Sequence, residues 1–133
     1  MGYGYVYLTC VTKDFEVLSD ALNAELWELF GQAQKKYQQY NFLDGIKDVF
    51  LCFDGELPVA CAAMKPYGEG TYEVKRVFVL QAYRGKGISA RLMGELEAKA
   101  SEMGIRRLIL ETGHALTAAV GLYRKLGYRV IEN

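Results

Sequence analysis

The hydrophobic positions of this chain change period several times, and each change marks an element. Tyr3, Tyr5 and Tyr7 alternate with Val6 and Leu8, which predicts an opening strand. Leu22, Leu26, Leu29, Phe30, Ala33 and Tyr37 then fall at helical spacing, with Asp14 or Ser19 as the expected N-cap. The polar stretch 38–48 reads as a loop. Apolar runs at 49–53 and 57–64 flank Asp54-Gly55, a hairpin turn signal. Residues 65–70 read as a further turn and 71–79 as a long returning strand. The period then switches abruptly to Ile88, Leu92, Leu96, Ala100 and Met103, a helix that stops at Gly104, with Ile105 supplying the apolar contact of a glycine C-cap. Residues 108–111 form a short strand. Thr117 caps a last helix carrying Val120, Tyr123 and Leu126, Gly127 ends it, and 128–131 is a final strand.

The order is strand, helix, three antiparallel strands, helix, strand, helix, strand. Hairpin-linked middle strands cannot all be parallel, so the plan is mixed α/β. The 133 residues suffice for one domain with one core, and 51% apolar with 24% charged residues is ordinary for a soluble globular chain. Sixteen basic residues balance sixteen acidic ones, which argues against nucleic acid or an anionic membrane as the main partner. No apolar run approaches the roughly 20 residues of a membrane helix, and the N-terminus lacks a signal pattern. Cys10, Cys52 and Cys61 each lie in an apolar, strand-like segment and read as reduced packing cysteines of a cytoplasmic protein. With one histidine and no paired ligand spacing, no metal site is expected.

The chemistry concentrates between residues 79 and 90. A β-branched strand ends in a polar loop with Gly85 and Gly87 one residue apart, and a helix follows at once. The first turn of a helix has unpaired N–H groups at the positive end of the macrodipole, and glycines let that backbone approach a ligand closely. The pattern is that of a phosphate cradle, or of a glycine-eased turn that binds nothing. Gly85-x-Gly87-x-x-Ala90 also matches a loosened dinucleotide fingerprint. Its context is poor for one: five residues separate Val79 from Gly85, and an antiparallel hairpin precedes the strand.

Tyr83-Arg84-Gly85-Lys86-Gly87-Ile88 resembles the acetyl-CoA loop of the GNAT superfamily of N-acetyltransferases, Arg/Gln-x-x-Gly-x-Gly/Ala, here Arg84-x-x-Gly87-x-Ser89. Leu122-Tyr123-Arg124-Lys125-Leu126-Gly127-Tyr128 is similar to the family's closing LYxxLGF segment. The stretches 73–79 and 110–113 resemble a bacterial branch of small acetyltransferases, and the likeness spans residues 49–131. It implies a mostly antiparallel central sheet with helices on both faces and splayed fourth and fifth strands. Residues 1–48 would form a variable acceptor side and 49–133 the acetyl-CoA-binding core of a single domain.

The resemblance also implies roles. Arg84, Gly85, Lys86, Gly87, Ile88, Ser89 and Ala90 would bind the cofactor, with the backbone N–H groups of residues 84–89 holding the pyrophosphate. Val77, Phe78 and Val79 would pair with the pantetheine arm as an added strand. Arg84 and Lys86 either add charge to phosphate or are solvated surface cations. The acceptor, a primary amine of a small molecule or peptide, must lose a proton, and Glu73 or Glu111 matches the family's base, directly or through water. A backbone N–H near Val79 would stabilise the thioester oxygen, and Tyr123 would protonate the leaving thiolate. Tyr37 and Tyr40 either line an acceptor pocket or cover the core, and His114 is given no role.

The chain departs from the pattern at three places. Ser89 stands where Gly or Ala is usual, and Leu116 where many members have Asn or Gln. The chain stops at Asn133, where members usually add another strand. A homodimer partner would complete the open edge, unless the chain is incomplete. A non-catalytic CoA- or nucleotide-binding module is the alternative to an acetyltransferase.

Overall fold

The computed structural model describes residues 2–30, 43–110 and 127–128. Strands form where aromatic and β-branched residues cluster: β1 (Gly4–Leu8), β2 (Asp48–Asp54), β3 (Leu57–Gly68), β4 (Thr71–Val79) and β5 (Arg107–Leu110). They build one sheet in the order β1-β2-β3-β4-β5. The first three pairings are antiparallel and β4–β5 is parallel, because α2 (Ile88–Glu102) carries the chain back across the sheet. The remaining described helix, α1 (Lys13–Phe30), connects β1 towards β2.

The helices cover opposite faces. Leu92, Met93, Leu96 and Ala100 of α2 pack with Phe50, Ala60, Ala62, Val74 and Val79. On the other face, Phe15 and Leu18 of α1 pack with Val49, Leu51, Cys61, Ala63 and Phe78. The run Ala60-Cys61-Ala62-Ala63 in β3 is fully buried. Small side chains there let both helices sit close to the central strand, and the larger neighbours fill the space around them.

The hairpin signalled at Asp54-Gly55 forms one residue further on: Gly55, at φ +63, and Glu56 make the turn from β2 into β3, and Asp54 stays in the ladder opposite Leu57. The α2 C-terminus also follows its glycine. Gly104 takes φ +78, the Ile105 N–H donates to the Ala100 carbonyl at 2.9 Å, and Ile105 packs on the core.

Three expectations need correction. The predicted turn 65–70 is mostly strand, since β3 continues to Gly68 and Lys65 and Pro66 pair with Glu73 and Tyr72. Pro66 is tolerated because a ladder position can lack its N–H near the end of a strand. The first helix begins at Lys13, so neither Asp14 nor Ser19 is its N-cap; Ser19 lies inside the helix and is buried. Cys10 is exposed beyond β1, unlike the buried Cys52 and Cys61. The final helix, with Leu116, and residues 129–131 of the final strand lie outside the described residues, and Gly127 between them takes φ +96.

The β1 tyrosines face α2, with Arg91 over the Tyr5 ring at 4.4 Å and Lys99 over the Tyr7 ring at 4.6 Å. The Tyr7 hydroxyl donates to the buried Asp48 carboxylate, which pushes the phenol up to about 12 from its ordinary 10. A raised phenol pKa means that this contribution is whole below pH 10 and is lost as pH climbs towards 12. Tyr7→Phe strands the carboxylate and is expected to cost about 1–3 kcal/mol at pH 7. Urea titrations across pH 8–12 would show it as a lower midpoint with a shallower alkaline decline than the parent.

Candidate active site

Strand β4 changes phase part-way along. Tyr72 and Val74 pack towards α2, yet so do Val77 and Val79, which stand an odd number of residues later. The register explains it: Lys75 pairs with Ala63 and Phe78 with Cys61, three steps on β4 against two on β3. The extra residue is a bulge at Arg76, whose φ of +55 is unusual for a side-chain-bearing residue. Burial pushes the Cys61 thiol up to about 12, so the protonated thiol donates to the Arg76 carbonyl at 3.2 Å.

Among the described residues, no strand pairs with the same stretch on the side away from β3. Pairing between β4 and β5 ends at Val74 with Leu110 among the described residues. The Leu80 N–H donates to the Val59 carbonyl at 2.9 Å. By antiparallel alternation the N–H and C=O of Val79 then turn the other way, towards that side.

A 3-10 turn, Gln81–Tyr83, leads from the strand into the loop. Gly85 and Gly87 take φ +78 and +80, and a Cβ on either would meet nothing within 4 Å. Conformation, rather than a packed neighbour, therefore calls for glycine. The first intrahelical bond of α2 runs from the Arg91 N–H to the Gly87 carbonyl at 3.1 Å. The N–H groups of Ile88, Ser89 and Ala90 thus lack an intrahelical acceptor, and the first turn carries no acidic residue. Residues 84–87 are exposed, Ser89 and Ala90 half-buried, and buried Ile88 roots the turn in the core. Donors converge at the end of that strand edge. That arrangement can bind a ligand with an extended amide-bearing arm and a phosphate at one end.

Arg84 does something the sequence did not announce. Its Nε donates to the Val79 carbonyl at 2.9 Å, a terminal nitrogen pairs with Glu25 of α1 at 2.6 Å, and the guanidinium lies 5.6 Å from the centre of the Phe78 ring. It ties loop, strand end and helix together, whereas Lys86 is exposed and available to an anion. Glu73 is half-buried on the α1 face of β4, 3.6 Å from Lys75 Nζ. It precedes the bulge by three residues, roughly 10 Å along the strand.

The sequence model of the Acetyltransferase (GNAT) family matches residues 16–128. The chain belongs to the GNAT acetyltransferase family. The uncharacterized N-acetyltransferase YjcF of Bacillus subtilis is 30% identical over 124 residues, 92% of this chain and 85% of that one. A solved structure from Klebsiella pneumoniae that carries the name of an acyl-CoA N-acyltransferase is 28% identical, with a TM-score of 0.77 over 96% of this chain and 83% of its own. A GNAT acetyltransferase from Elizabethkingia anophelis, solved with acetyl-CoA bound, shares the fold with a TM-score of 0.71 and 21% identity over 98% of this chain and 78% of that one. Against two further curated relatives the matched region spans 46% and 56% of their length.

Within this GNAT fold the end of β4 leads through the 3-10 turn into residues 84–90, with Val77 and Val79 turned towards α2, whereas Phe78, expected to pair with the arm as well, is paired with Cys61 of β3 and buried on the α1 face. Glu73 lies on the neighbouring stretch of β4. Glu111 and Tyr123, like His114, Tyr37 and Tyr40, lie outside the described residues. Sequence reading missed the bulge and the α1 residues that hold β4 and the loop, namely Ser19 and Asn23 at Arg76 and Glu25 at Arg84. One signal was present: Val74 and Val77 stand three apart, which breaks the alternation of a regular strand.

Proposed function

We propose that this GNAT chain transfers an acetyl group from acetyl-CoA directly to a primary amine of a small molecule or peptide. The observation that carries the reading is the β4 edge, unpaired beyond Val74 among the described residues, running directly into the glycine loop and the bare first turn of α2. Those donors fit acetyl-CoA, whose pantetheine arm has amides for the edge and whose pyrophosphate suits the turn. Val77 and Val79 would pair with the arm, residues 84–89 would donate N–H groups to phosphate, and Lys86 would add charge. Arg84 would contribute its N–H, with its side chain engaged by Glu25 and Val79.

The Val79 N–H would donate to the thioester oxygen as it gains charge. A lysine-like amine is mostly protonated at neutral pH, and deprotonating it costs about 4–5 kcal/mol. Glu73 or Glu111 would take that proton, directly or through water. Tyr123 would hydrogen-bond the departing thiolate.

Calorimetry with acetyl-CoA, followed by a free-thiol assay over amino acids, polyamines, aminoglycosides and peptide N-termini, tests the reading. Micromolar binding with amine-dependent thiol release is expected. Absence of heat at millimolar acetyl-CoA overturns the cofactor assignment, and binding with no turnover on any amine favours the non-catalytic module.

A further inference from the structure

Arg76 is the only residue other than glycine with positive φ among the described residues. A side-chain-bearing residue resists that conformation, so something must hold it there. The guanidinium reaches across the α1 face of the sheet. Its Nε donates to Ser19 Oγ at 2.9 Å, and a terminal nitrogen donates to the Ser19 carbonyl at 2.9 Å and to Asn23 Oδ1 at 2.5 Å. Ser19 is buried, and burial lowers the Arg76 pKa, yet an arginine remains charged. These are strong, directional bonds in a poorly solvated place. They lie on the α1 face, whereas Val77 and Val79 face α2.

The bulge matters because side chains and backbone groups on a strand alternate. If the extra residue were absorbed into regular pairing, the stretch that follows would slip by one. Val77 and Val79 would exchange faces with Phe78, and the backbone groups now on the edge away from β3 would turn to β3. We propose that Ser19 and Asn23 of α1 are positioning residues for the cofactor edge: they clasp Arg76, keep β4 bulged, and so set acetyl-CoA affinity from the opposite face of the sheet. The acceptor-side helix and the cofactor edge are thereby one mechanical unit. Arg84 repeats the link at the other end of the edge, where it joins the Val79 carbonyl to Glu25 of the same helix. The inference rests on the acetyl-CoA reading above.

The decisive set keeps every proposed cofactor-contacting residue unchanged. Ser19→Ala combined with Asn23→Ala removes the side-chain half of the clasp and is expected to weaken acetyl-CoA binding, measured by calorimetry on folded protein, about tenfold. Adding Arg76→Gly to that pair supplies a residue that adopts φ +55 without help, and is expected to return affinity to within about twofold of the parent. If the pair lowers the melting temperature but leaves affinity unchanged, the clasp is merely structural and the proposal fails. It fails equally if affinity is lost and glycine at 76 does not restore it. Should the pair not fold, Asn23→Ala with and without Arg76→Gly gives the same comparison, with an expected two- to threefold loss and recovery. A parent protein that binds no acetyl-CoA refutes the cofactor reading instead, so the two failures are distinct.

Discussion

Gly87→Val is expected to reduce acetyl-CoA affinity at least 100-fold while the protein still folds. Gly87 sits at φ +80 at the mouth of α2, and an L side chain there costs about 1–2 kcal/mol, more for a β-branched one. A Cβ would meet nothing within 4 Å, so no collision within the protein adds to that strain. The larger loss comes from the ligand side, because the branched carbons would occupy the space a phosphate needs to reach the Ile88, Ser89 and Ala90 N–H groups. Gly87→Ala should fall between the two. Gly104 supplies the control: it has φ +78, an equally open Cβ position, and lies past the C-terminal end of α2, at the opposite end of the helix from the loop. Gly104→Ala should lower the melting temperature about as much as Gly87→Ala and leave acetyl-CoA binding intact. Equal affinity losses at both positions would show that strain alone, and no phosphate seat, explains the glycine at 87.

The fold was largely legible because its signals are local. Asp54-Gly55 announced a two-residue hairpin, and the switch from strand to helical period at Ile88 announced α2. Gly104-Ile105 announced how that helix ends. The same holds for the loop, where two glycines one residue apart sit between a strand and a helix. What stayed hidden depends on distant pairs. Ser19 reads as a helix cap on local preference, since serine competes for backbone groups at helix starts. Within α1 it accepts a bond from Arg76, 57 residues away, and no window along the chain contains both. Arg84 reads as a phosphate cation beside two glycines. Its engagement by Glu25 depends on where α1 docks, which only the folded sheet determines. Local pattern thus gave the glycine loop between β4 and α2, and the tertiary fold showed what braces it.

Tyr123→Phe is expected to lower kcat about 10–100-fold with little change in KM for acetyl-CoA. The phenol of tyrosine has a pKa near 10 and a free thiol near 8.5, so full proton transfer to the departing thiolate is uphill by about 2 kcal/mol. Tyr123 would therefore act chiefly by donating a hydrogen bond to sulfur as negative charge builds. A hydrogen bond to a charged group is worth about 1.5–3 kcal/mol, which sets the expected factor. Such a bond gains strength only as the thiolate forms, so it belongs to the transition state and should leave ground-state affinity nearly untouched. A proton relay of larger consequence would instead cost the 10²–10⁴ of general acid catalysis. Single-turnover measurement of thiol release, with the amine the acceptor screen selects, separates these cases. A loss confined to KM would recast Tyr123 as a binding residue, and an unchanged kcat would remove it from the chemistry.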